Sequence, residues 1–82
     1  MMYALKNTRT YRIQSKHRTL RGMMMAERKH QRRTKSYGDT IPGKLINGTW
    51  VRLDPYGQEW QDYFNMWDEL GPVFKKEVSV FA

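Results

Sequence analysis

Eleven of the fifteen basic residues fall between Met1 and Tyr37: Lys6, Arg9, Arg12, Lys16, Arg18, Arg21, Arg28, Lys29, Arg32, Arg33 and Lys35. Glu27 is the one acid in that stretch. Arginine offers planar, forked N–H donors that grip phosphate bidentately and stack on bases, so such an array points to polyanion chemistry. Wound as a helix, Lys16–Lys35 gathers Arg18, Arg21, Arg28, Lys29, Arg32, Arg33 and Lys35 into one arc of roughly 160°. Leu20, Met23, Met24, Glu27, His30, Gln31 and Thr34 take the other side. Like charges without internal partners predict contact with nucleic acid. Gln31, the side chain able to read a base edge, lies off the basic arc. The array therefore suits backbone tracking and stacking on RNA or single strands better than groove reading of a duplex. Trp50 beside Arg52 adds a candidate stacking pair, with Tyr37 as an alternative ring.

Catalysis finds less support. His17 and His30 are the only imidazoles. On one helix they stand about 19 Å apart along the axis, too far to share one phosphate in acid–base cleavage. The absence of Cys removes disulfides, thiolate nucleophiles, zinc ribbons and iron–sulfur ligation. No paired-carboxylate motif, nucleophile elbow or phosphate-cradling glycine loop is present. A non-enzyme without cofactor or metal is expected.

Eighty-two residues allow one domain. Its halves differ in character: residues 1–37 carry +10, and residues 38–82 carry −3 with eight of the eleven aromatics. This predicts a polyanion-facing element mounted on a core-forming one. The elements read as follows. A short strand lies near Thr10–Gln14, and Ser15 caps a helix over Lys16–Ser36 that stops at Tyr37-Gly38. Gly38–Gly43 is a loop. Asn47-Gly48 turns a hairpin within Lys44–Leu53, with Ile46, Thr49, Val51 and Leu53 on one face and Leu45, Trp50 and Arg52 on the other. Asp54 caps a second helix that opens at Pro55 and ends at Leu70 before Gly71-Pro72. Val73–Phe81 forms a last strand. The expected fold is α+β, order β-α-β-β-α-β, with a small antiparallel sheet of three or four strands.

In the second helix Tyr56, Trp60, Tyr63, Phe64, Trp67 and Leu70 share an arc of about 120°, which predicts core. In the first, Leu20, Met23 and Met24 dock the opening turns. The absence of apolar residues between Ala26 and Tyr37 predicts that its second half projects into solvent. No apolar run suggests a signal peptide or membrane span, which points to the cytoplasm.

The short length, arginine-rich half, aromatic content and lack of cysteine resemble the small, highly charged early proteins that tailed phages use for host takeover or counter-defence. That resemblance implies a stoichiometric inhibitor binding RNA, a host ribonuclease toxin, or both, in the host cytoplasm. A protein-directed variant also stands. There the basic helix occupies the nucleic-acid groove of a host nuclease or polymerase, and Asp62, Asp68 and Glu69 meet basic rims of the target.

Overall fold

The computed structural model describes residues 1–73. In chain order it contains β1 (Met2–Asn7), β2 (Ile13–His17), α1 (Leu20–Thr34), β3 (Thr40–Ile46), β4 (Thr49–Arg52) and α2 (Gln58–Leu70). The strands form one antiparallel sheet in the order β2-β1-β3-β4. The class is α+β, as expected. The order along the chain is β-β-α-β-β-α, and the expected Val73–Phe81 strand lies outside the described residues apart from Val73 itself.

β1 is a central strand, and that explains why it does not alternate. Ala4 and Leu5 point to opposite faces, yet both are wholly buried. The turn into β2 is built by Asn7, whose Oδ1 accepts from the backbone N–H groups of Arg9 (2.8 Å) and Thr10 (3.1 Å). Tyr11 adopts a positive φ of 59° there. The strand expected near Thr10–Gln14 is therefore displaced to Ile13–His17. Ser15 lies within β2, and Thr19 caps α1 instead, its hydroxyl accepting from Gly22 N at 3.0 Å.

Gly38–Gly43 is not all loop, because β3 begins at Thr40. Pro42 is tolerated there because its carbonyl accepts from Leu53 N just past the end of β4. In an antiparallel strand N and O of one residue face the same way, so the missing N–H of Pro42 faces that same open end. The Asn47-Gly48 turn is as expected, with φ of 51° and 82° and Ile46 paired to Thr49.

Register places Tyr3, Leu5, Pro42 and Lys44 on one face of the sheet. Both helices pack on this face. The core joins Leu5, Met23, Met24, Leu53 and Tyr63, with Leu20, Trp60, Met66, Trp67 and Leu70 packed around it. Two expectations for α2 fail. Asp54 closes a turn ahead of the helix, accepting from Tyr56 N at 2.9 Å, and α2 starts only at Gln58. Tyr56 is thus 97% exposed outside the helix, and Phe64 is half exposed; Met66 joins the packing instead.

Among the described residues, no helix is long and apolar enough to cross a membrane.

Candidate nucleic-acid interface

α1 does not project into solvent. Glu27, Arg28 and Gln31 are each at least nine-tenths buried between α1 and its neighbours, so the inward stripe continues past Ala26 on polar side chains. Burial of these groups is possible because each charge finds partners. Tyr63 OH donates to Glu27 Oε1 at 2.7 Å, and Thr40 Oγ1 donates to Oε2 at 2.6 Å. Burial nevertheless pushes the Glu27 carboxyl above the usual carboxylate range, against the pull of those hydrogen bonds.

Arg28 is the clearest correction to the expected site. Its guanidinium donates to Gly71 O at 2.8 Å and Leu70 O at 3.4 Å, and lies 4.9 Å from the Trp67 ring centre. The last carbonyls of a helix lack intrahelical donors, and α2 has no basic residue in its own final turn. Arg28 supplies both the donors and the charge. It fastens α1 to the end of α2 and is not on the outer surface.

The other six expected cations are exposed. Arg21, Lys29, Arg32 and Arg33 lie along the outward side of α1 around Met25, Arg18 precedes the helix, and Lys35 ends it in a left-handed conformation with φ of 55°. Of these, Arg33 also reaches His30 Nδ1 at 3.1 Å. Because Glu27 turns inward, the outward side of α1 carries cations and no acid.

Trp50 and Arg52 do not join this patch. Trp50 pairs with Leu45 and Arg52 with Gly43, which sets both on the sheet face away from the helices. The indole lies against Gly43, where a Cβ would clash with its ring, and donates to Ala4 O at 3.0 Å. Lys6 Nζ stands 5.0 Å from the ring centre. Lys16, paired to Ala4, faces the same way. Sequence alone pairs Trp50 with Arg52. Lys6 and Lys16 were missed as members of this second patch because β1 was not recognised as a strand. Tyr37 packs edge-on against Trp67, 5.7 Å between centroids, and is drawn into the helix layer.

His17 sits in β2 and His30 in α1, so the axial separation expected of one helix does not apply. Each has its own surroundings. His17 Nε2 lies 2.8 Å from Ser15 Oγ, and His30 Nε2 lies 3.6 Å from Asp39 Oδ2.

No protein-family model, curated protein or solved structure matches this chain.

Proposed function

We propose that the protein binds single-stranded RNA with little sequence preference, through the outward side of α1. One observation carries this reading. Arg21, Lys29, Arg32 and Arg33 are exposed on the outward side of α1, with Arg18 and Lys35 exposed at its two ends, while Glu27, the one acid of α1, is buried on the inward side. A surface of this kind repels itself and is relieved by phosphate, which releases its counterions and accepts bidentate arginine contacts. The mixture of arginines with a half-exposed Met25 offers no regular set of base-reading groups, which favours tracking of the backbone. Trp50, with Lys6, Lys16 and Arg52 on its sheet face, provides a separate stacking position that a longer strand reaches by wrapping past the β2 edge. In this reading the protein acts in the cytoplasm as a stoichiometric binder, in keeping with its resemblance to phage counter-defence proteins, and needs no cofactor.

A salt titration of binding to labelled single-stranded RNA, with single-stranded and duplex DNA in parallel, tests the proposal. Six phosphate contacts on a single strand give a log–log slope of about −4. A slope near that value with RNA preferred supports it. A shallow slope, equal for the three nucleic acids, overturns it.

A further inference from the structure

α1, α2 and the first part of β3 surround a cavity of about 640 Å³, within the range of small-molecule sites. Its character is opposite to that of the chain as a whole. The protein carries +7, yet both charged residues lining this cavity are acids, Glu27 and Asp68. Aromatic rings from α2 form its wall: Trp60, Tyr63 and Trp67. Gln31 also lines it, and its amide oxygen is a buried acceptor with no hydrogen-bond partner among the described residues. The Arg28 guanidinium already rests against the Trp67 ring while its N–H groups are taken up by the carbonyls of Leu70 and Gly71.

Aromatic faces with a nearby carboxylate are the surroundings that alkylated ammonium ions select, since the rings attract the spread positive charge and solvate the alkyl groups together. We propose that this cavity binds a small organic ammonium ion bearing alkyl groups, held between Trp60 and Trp67 and drawn in by Asp68. The unpaired oxygen of Gln31 accepts a hydrogen bond from a hydroxyl or N–H on the same ligand. Glu27 lines the site with both carboxyl oxygens already tied to Tyr63 and Thr40, which leaves Asp68 as the carboxylate that meets the ligand. The site is separate from the outward side of α1, so it stands or falls independently of RNA binding.

Choline and its neutral carbon isostere 3,3-dimethylbutan-1-ol have nearly the same shape and differ in charge, which makes them the probes of choice. Calorimetry and tryptophan fluorescence on the intact chain should give saturable choline binding, about tenfold tighter than the isostere. Asp68→Asn alters an exposed side chain and keeps the fold, as its circular dichroism would verify. It should weaken choline severalfold and leave the isostere unaffected. Three results would each overturn the proposal: no saturable choline binding, equal affinity for the two probes, or undiminished choline affinity in the folded Asp68→Asn protein.

Discussion

Tyr63 on α2 and Glu27 on α1 are joined by a 2.7 Å hydrogen bond in the buried seam between the helices, with Tyr63 as donor. Burial first, and the adjacent Glu27 second, push the Tyr63 hydroxyl far above the ordinary tyrosine value, so it remains a donor at every pH at which the protein is folded. Tyr63→Phe leaves the carboxyl with Thr40 as its one remaining hydroxyl donor. The expected loss is about 1–3 kcal/mol in stability, read as a lower urea midpoint at unchanged slope.

Two carboxyls give opposite pH dependences. Glu27 sits above the usual range because it is buried, so the folded state holds its proton more tightly than the unfolded chain. Its contribution is greatest below the usual range and is lost as pH rises through the raised folded value. Glu59 is held below the usual range, first by the hydrogen bond from Lys44 at 2.6 Å and then by Tyr3 OH, also at 2.6 Å. Its contribution is present above the usual range and is lost as pH falls through the lowered value. Thermal melts across pH should therefore show that Glu27→Gln removes a decline on the neutral side, while Glu59→Gln removes one on the acid side. Tyr3 reports the same cluster, since its bond to Glu59 pushes its hydroxyl up to about 12.

Arg28 and its neighbours should separate cleanly. Arg28→Leu strips the donors from the end of α2 and should cost about 1–3 kcal/mol, with the salt dependence of RNA binding unchanged. Replacing Lys29, Arg32 and Arg33 with Glu should leave the fold intact and flatten the RNA salt slope by about 2. A triple variant with the parent slope would disprove the assignment of α1.

Gly43 tests the second patch. A methyl group there overlaps the Trp50 ring, and an indole wedged on a sheet has little room to yield. Gly43→Ala should expel the ring, break its hydrogen bond to Ala4 and cost about 1–3 kcal/mol, with red-shifted tryptophan emission as the signature.

What was legible in the sequence follows from how local each signal is. Asn47-Gly48 encodes its turn within two residues, and the pairing around it came out in register, including Trp50 beside Leu45. The end of α2 before Gly71 was equally clear. β1 escapes detection because a strand buried on both faces has no alternation to detect, and the start of β3 because Pro42 and Gly43 read as turn residues and mask the β-branched Thr40 and Ile41. For the candidate site, six of the seven expected cations are exposed, four of them on the outward side of α1 and Arg18 and Lys35 at its two ends. The seventh, Arg28, was lost because its partners lie on a helix more than forty residues onward, at Leu70 and Gly71. No rotation about the axis of α1 contains that information.

The central position of β1 also sets the order in which the molecule can assemble. Met2 pairs with Leu45 and Asn7 with Thr40, so the loop that must close contains β2 and all of α1. The β1–β2 and β3–β4 hairpins can each form from neighbouring residues, but a lone hairpin is marginal in water. Committed folding then waits on the long-range encounter of the two hairpins, which is the entropically expensive step. Until it occurs Ala4 and Leu5 remain on an unpaired edge. Substitutions at these two positions should slow folding more than they speed unfolding, the kinetic mark of a contact made in the transition state.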